Sequence, residues 1–471
     1  MKLTRNTLYA LIQLLALRLP NVAVMLLLTR RYGAYETGVF GLAVTYALLL
    51  TVWWAGPDEL AVREMARARA SRALRHYAWR RLLIATALCA AAIAFTWLWG
   101  GYPPETRWFV AIVLLGTIPE GPMGVIQAGL LGYERFRPAM LVSLVQTALR
   151  LLLCGAALLA GGSLIWVAIG WTAASFASSL IALFALGDVL RQGGAELEAP
   201  GIDWRREGWA FVSIGILATL EYQVDVVLLS YFRSISEVGF YSAALTLFGA
   251  ASLPAQAARL AVLPAMTRAA GGQAESLARL YRRTLRYLLA LALPVAVLGG
   301  AFADRLVVLI FGPAMRPTGR VLAILMVALP LVFLNVPQSR LLLATDQQRR
   351  TFYFIAISSA VNVLANVVLG ALFGPVGAAV ARIISTATFF SLAFAAVVRV
   401  VGLPSFGSVA PPFAAALVMA LYLRWLVDAG PAWLLGLVAV VVYVAVFTLA
   451  GGVEAREWAA LRGWLQRRMA A

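Results

Sequence analysis

Along most of the chain the apolar residues come in long runs of about twenty, with no regular alternation between faces. A helix of that length spans the hydrocarbon of a bilayer. Fourteen such runs can be drawn, at 8–29, 38–56, 80–99, 108–131, 138–160, 164–186, 209–231, 238–262, 287–310, 321–343, 353–372, 375–398, 409–427 and 432–450. The stretch PSFGSVAPPF blurs the start of the thirteenth. A transmembrane barrel would instead show alternating strands of about ten residues. The pattern predicts an all-α polytopic membrane protein. The opening MKLTRNTLYALIQLLALRLPNVAVMLLLTRR is too long in its apolar part for a cleavable signal and lacks a small-residue cleavage pattern, so it reads as the first span.

Composition agrees. Hydrophobic residues make up 62% of the chain and charged ones 13%, with a mean hydropathy of +0.86, more apolar surface than a soluble domain can hide. The net charge of +18 raises the question of nucleic acid, but the placement of the basic residues answers it. They lie in short segments between apolar runs, where they act as orientation signals. With the N-terminus inside, 28 of the 39 basic residues fall in inner segments and 8 in outer ones. Both termini are therefore expected in the cytoplasm. Every loop is short, and the longest, around 57–79, 187–208 and 263–286, are inner and basic. The first and third read either as surface helices on anionic lipid or as plain anchors. Outer loops such as GGYPPETR, AGGS and FGP are too small for a catalytic domain, which argues against a membrane-embedded glycosyltransferase or polymerase, so no enzyme is expected. Cys89 and Cys154 sit inside apolar runs and read as small hydrophobes, and the single His76 without a cysteine partner argues against a zinc site.

A weak repeat runs through the chain. YETGVFGLA (Tyr35 to Ala43) resembles SEVGFYSAA (Ser236 to Ala244), with Glu36 and Gly38 matching Glu237 and Gly239, 201 positions on. IPEGPMGVIQAGLL resembles LPLVFLNVPQSRLL, with Pro119 and Gln127 matching Pro330 and Gln338, 211 positions on. A repeat spaced by six spans leaves both copies in one orientation. It predicts two six-helix bundles related by an axis along the membrane normal, with substrate between them. The expected divisions are 1–190 for the first lobe, 191–400 for the second, and 401–471 for two added helices and a basic tail.

LLTRRYGAYETGVFGLAVTYALLL resembles the first-loop signature of Wzx-like polysaccharide flippases, in the multidrug/oligosaccharidyl-lipid/polysaccharide exporter superfamily. VDVVLLSYFRSISEVGFYSAALTL with LPAQAARLAVLPAMTR is similar to their seventh and eighth spans, and SSAVNVLANVVLGALFGPVGAAVARIIST to their eleventh and twelfth. The likeness runs over roughly residues 8–400. It implies two six-helix lobes around a central cavity, as in the MATE and MurJ branches. It implies movement of an undecaprenyl-pyrophosphate-linked oligosaccharide from the inner to the outer leaflet of a bacterial cytoplasmic membrane, driven by a Na+ or H+ gradient and needing no cofactor. The implied partners are that glycan, membrane lipids and polysaccharide assembly proteins. A lipid II flippase is the alternative, ranked lower because ALRLPNVAVMLLLTRRYG does not show that branch's first-span serine and arginine pattern. A MATE-like small-molecule exporter is the other.

Charges near mid-membrane are the candidates for function. Arg18, Arg150 and Arg382 lie near the centres of spans one, five and twelve, Glu120 in span four, and Glu221 and Asp225 in span seven. Each costs about 2.5–3.5 kcal/mol at the bilayer centre on insertion scales, so they must face a wet cavity or one another. Arg18 is the leading substrate residue, because a guanidinium grips a pyrophosphate with two parallel hydrogen bonds. Arg259, closing span eight, and Asn21 join it, with an orientation anchor and a helix-to-helix bond as their respective bland readings. Glu221 and Asp225, four apart, share a helix face, so the pair can hold one proton or a sodium ion between them, or else pair with Arg18 or Arg259 and fix the lobes. Glu120, between Pro119 and Pro122, is the third coupling candidate; its bland reading is a hinge with a paired acid.

The orientation is testable in protein whose Cys89 and Cys154 are replaced by alanine. A cysteine introduced at Arg75 or Ser276 should react with an impermeant thiol reagent only from the cytoplasm, and one at Pro103 or Thr318 only from outside. The reverse pattern would overturn the fourteen-span arrangement.

Overall fold

A computed structural model describes residues 20–68, 71–132, 135–191, 217, 219, 223–272, 274–403, 406–426 and 430–453. The described backbone is helical apart from its turns. In chain order the helices are α1 (20–32), α2 (Ala34–Ala68), α3 (Ser71–Leu98), α4 (Pro104–Leu115), α5 (Thr117–Gly132), α6 (Phe136–Leu159), α7 (Leu164–Arg191), α8 (Gln223–Phe232), α9 (Ile235–Ala251), α10 (Leu253–Ala270), α11 (Ala274–Ala301), α12 (Ala303–Phe311), α13 (Pro317–Ala344), α14 (Gln348–Ala365), α15 (Ala371–Val401), α16 (Phe406–Leu426) and α17 (Ala432–Leu449). Among the described residues ten helical stretches are long and apolar enough to cross a membrane, or eleven if the bent pair α9–α10 counts as one span. The helices fall on all fourteen expected runs, the first and seventh described only in their second halves.

The interruptions have local causes. α4 and α5 form one span broken at Gly116, just ahead of Pro119 and Pro122. α9 and α10 bend by 48° where Pro254 enters the chain. The 54 residues Gln348–Val401 are two spans joined by a tight turn, in which a π-helical stretch Asn366–Gly370 leads to Gly374 at φ 60°. That left-handed conformation needs glycine, and Pro375 then starts the next arm. The turn from α1 into α2 likewise uses Gly33 at φ 102°. Its counterpart 201 positions on is Ser234, which opens α9 with a capping box. The Ser234 hydroxyl accepts from the Glu237 amide (3.3 Å), and the Glu237 carboxylate accepts from the Ser234 amide (3.2 Å).

The inner segments 57–79 and 263–286 are largely helical, as the surface-helix reading expects. α2 continues to Ala68, and only residues 271–273 separate α10 from α11. The start of α11 is amphipathic, with Leu277, Ala278, Tyr281 and Leu285 buried and Arg279 and Arg283 exposed. Thr318, expected at an accessible outer position, is fully buried in the first turn of α13, so Arg316 beside it is the better labelling position.

Packing divides the chain into two compact units. The first comprises 1–243 with 310–315 and 362–378, and the second comprises 244–309, 316–361 and 379–471. The first holds a small core of Met123, Val125, Ile126, Leu130, Ala139, Val142 and Ala182. The second is built on α11, α13 and α15, and the two added helices α16 and α17 join its core through Met419, Leu423, Leu435 and Tyr443. Large apolar side chains remain exposed along many helices, as a lipid-facing surface requires. Trp79, Trp99, Trp108, Trp166, Trp425 and Trp433 are exposed near span ends, where indole rings anchor at the interface.

Candidate functional site

Two of the mid-membrane charges of the first unit, Glu120 and Arg150, meet in one cluster. Glu120 on α5 is ion-paired with Arg150 on α6. Ser175 on α7 donates to the same carboxylate oxygen at 2.9 Å and accepts from Arg150 Nη2 at 2.9 Å, while Gln146 Nε2 approaches that oxygen at 3.4 Å. The Arg150 guanidinium lies 4.1 Å from the ring centre of Trp171, a second attraction for the cation. α7 also covers carbonyls along the broken span. Thr172 donates to Ile112 (2.6 Å) and Ser179 to Pro119 (3.1 Å). Three helices are thereby braced through one buried salt bridge, the geometry of a paired acid at a hinge. Trp171, 6% exposed, departs from the interfacial role expected of tryptophan, and nothing in its sequence position signalled this.

Asp225 on α8 is fully buried. It accepts from the Tyr241 hydroxyl (2.5 Å) and from the amide of Val226 (3.0 Å). Its proposed companion Glu221 lies outside the described residues, as does Arg18. Asn362 and Asn366 on the eleventh span are buried in the same unit as Asp225, and Asn366 Nδ2 donates to the Asn362 carbonyl at 2.9 Å. The Asn366 Oδ1 atom is buried without a hydrogen bond among the described residues. So is the Oδ1 of Asn21 on α1. Arg259 is exposed on α10 and makes no ion pair among the described residues. Arg382 is buried in α15, where its carbonyl accepts from Ser385 and Thr386. The structure thus joins Glu120 to Arg150 and Asp225 to Tyr241.

Arginines at the opposite, arginine-poor ends of the spans have a separate task. Arg31 donates to the Leu159 carbonyl at the end of α6 (3.5 Å), and Tyr32 to Gly162 just beyond. In the second repeat, Arg233 donates to the carbonyls of Ala371 and Leu372, both at 2.7 Å. Arg30 Nε reaches the Ile310 carbonyl at 2.7 Å. A cation on the last carbonyls of a helix satisfies orphan acceptors and meets the negative end of the dipole. These are the residues that the orientation count left on the wrong side.

The family model described as "Polysaccharide biosynthesis protein" matches residues 3–270, more than half of the chain. The chain belongs to this family. A second model, MatE, matches residues 212–368. No curated protein matches the sequence. Among solved structures, the lipid II flippase MurJ in an inward closed conformation is similar with a TM-score of 0.76 at 15% identity, covering 96% of this chain and 99% of that one. A multidrug resistance MATE family transporter is similar in its inward-facing form (TM-score 0.68, 13% identity, 82% and 95% covered). An outward-facing MATE family transporter gives 0.58 at 15% identity, with 84% and 94% covered. The family member described here therefore has the all-α fold of the multidrug/oligosaccharidyl-lipid/polysaccharide flippases.

The ion pair sets a clear expectation for stability. Arg150→Ala strands a buried carboxylate and should cost about 3–5 kcal/mol, seen as a large fall in the melting temperature of the detergent-solubilised protein. The double replacement Glu120→Leu with Arg150→Met should recover most of that loss. If Arg150→Ala melts like the parent, the pair does not brace the first unit.

Proposed function

We propose that the protein is a flippase that moves an undecaprenyl-pyrophosphate-linked oligosaccharide from the inner to the outer leaflet of a bacterial cytoplasmic membrane, with both termini in the cytoplasm. The family match over residues 3–270 carries this reading. The fold of a membrane transporter and the small outer loops support it. The excess of arginine in the segments expected to be inner supports the orientation. Arg18, Asn21 and Arg259 are the residues we assign to the substrate: Arg18 to the pyrophosphate, Asn21 to a sugar hydroxyl that donates to its uncommitted amide oxygen, and Arg259 to the inner mouth.

We assign coupling to span seven. Asp225 is a fully buried carboxylate whose described partners are a phenol and an amide, and the same unit holds a buried amide oxygen at Asn366. Oxygen ligands of this kind suit a hard cation, and a carboxylate buried within a span suits a proton. Glu120 is already committed to Arg150 and takes second place.

Proteoliposomes test both assignments. Labelled undecaprenyl-pyrophosphate-linked oligosaccharide should cross to the far leaflet, and Arg18→Ala should abolish crossing with expression and insertion intact. Arg18→Lys should restore it in part, because an ammonium lacks the fork of the guanidinium. Under imposed pH or sodium gradients, Glu221→Gln or Asp225→Asn should stop responding while still binding substrate. Movement of lipid II or of a small cationic drug in place of the glycan would replace this reading with one of the alternatives. A normal gradient response in both carboxylate variants would assign those residues to packing.

A further inference from the structure

The second unit holds a buried amide whose two polar ends are both uncommitted. Gln338 on α13 is fully buried, and neither its Oε1 nor its Nε2 makes a hydrogen bond among the described residues. Its counterpart in the first repeat, Gln127, does find a partner: Nε2 approaches the Ser143 hydroxyl on α6 at 3.4 Å. The offset of 211 positions that carries Gln127 to Gln338 carries Ser143 to Phe354 on α14, a partly buried ring with no hydroxyl to offer. The second repeat therefore retains the glutamine without its partner.

Gln338 lies on the face of α13 that carries Leu334, Leu341 and Leu342, since residues three and four apart share a helix face. Those leucines belong to one buried core with Tyr281 of α11. Across this seam the Tyr281 phenol lies beside the Gln338 amide without a well-formed hydrogen bond to it. The Tyr281 hydroxyl is likewise buried and makes no hydrogen bond among the described residues. Three bare polar atoms on two neighbouring side chains thus lie within one apolar core. They cannot satisfy one another. The amide carries two N–H donors and a carbonyl, and a single hydroxyl cannot serve them all. Each buried polar atom left bare bears its full desolvation penalty, so such atoms in folded proteins are almost always met. The group that completes this set must both donate and accept, and must be small enough to sit between two packed helices. Water has these properties, and a buried water makes about three hydrogen bonds, as many as there are bare atoms in this place.

We propose that α11 and α13 enclose an internal water site, in which water bonded to the Gln338 amide and to the Tyr281 hydroxyl ties the two helices together. The second unit joins these helices through solvent, where the first joins α5 to α6 by a direct contact of glutamine with serine. The site is independent of what the protein transports.

Radiolytic footprinting of the full chain in detergent tests this. A brief X-ray pulse makes hydroxyl radicals from water in place, and mass spectrometry reads which residues they oxidise. Tyr281 is 1% exposed, and Phe109 in the first unit is fully buried, so radicals from bulk solvent reach neither. Water held against the phenol should make Tyr281 oxidise about fivefold faster than Phe109, more than the two rings differ in reactivity. Gln338→Leu nearly keeps the volume and removes the amide, and Tyr281 should then fall to the Phe109 rate. The same variant should lower the melting temperature by a few degrees, because the bridge is lost. An amide buried dry gives the opposite sign, since leucine relieves its desolvation penalty. Adding Tyr281→Phe should recover the loss, because an apolar pair needs no bridge. Oxidation of Tyr281 at the Phe109 rate in the parent overturns the site and leaves a direct bond between the two side chains. A folded Gln338→Leu that melts higher than the parent overturns it as well. So does oxidation that persists in that variant, which would come from bulk solvent. Should Gln338→Leu not fold, the comparison of Tyr281 with Phe109 in the parent decides alone.

Discussion

Hydrocarbon offers no hydrogen bond, and that constraint shapes every level of this structure. Backbone amides and carbonyls must be satisfied within each segment, so the described spans are helices. Side-chain hydroxyls within them turn back on their own turn, as Thr29 does to Met25, Thr147 to Ser143 and Thr284 to Leu280. Where the span breaks at Gly116, whose amide turns to Leu114 and Val113, a neighbour supplies the missing donor, as Thr172 of α7 does for the Ile112 carbonyl. Where a carboxylate enters the first unit, an arginine, a serine and a glutamine converge on it.

Much of this was legible in sequence. Run lengths gave the spans to within a few residues for most of the chain, because bilayer thickness dictates helix length and little else competes. The tight turn at Gly374 and Pro375 falls between the runs 353–372 and 375–398, where two breakers coincide. The helical extensions beyond the hydrocarbon at Ala68 and Ala270 were not legible, since basic interfacial residues read equally as loop or as surface helix. The partner of Glu120 was harder still. Arg150 lies 30 positions away, and Arg18 and Arg259 were equally good on charge alone. Trp171 gave no signal, because its role follows from packing against Arg150 and not from its place in the chain.

The repeat turned out more informative than its weak identity suggested. Glu36 and Gly38 were visible matches to Glu237 and Gly239, and the two glycines make the closest approach, whereas the pairs Ala34 with Ile235 and Gly41 with Ser242 beside them do not conserve residue type. What the two copies share is available space: small residues wherever the opposite backbone arrives. The same holds for the helix caps. Arg31 and Arg233 are not equivalent in register, but each delivers a guanidinium to the helix end preceding its repeat's last turn, at Leu159 and at Ala371. Symmetry of this kind is kept by geometry and escapes residue-by-residue comparison.

A transporter must hold some contacts through its cycle and release others, and the chemistry found here sorts them. Breaking the Glu120–Arg150 pair would leave two uncompensated charges in a medium that solvates neither, a cost of several kcal/mol that thermal motion meets rarely. α5, α6 and α7 are therefore expected to move as one body. The contact of α2 with α9 is of another kind, helix backbone packed directly on Gly38 and Gly239. Motion then concentrates where the sequence places glycine against backbone, and rigidity where it places arginine against glutamate.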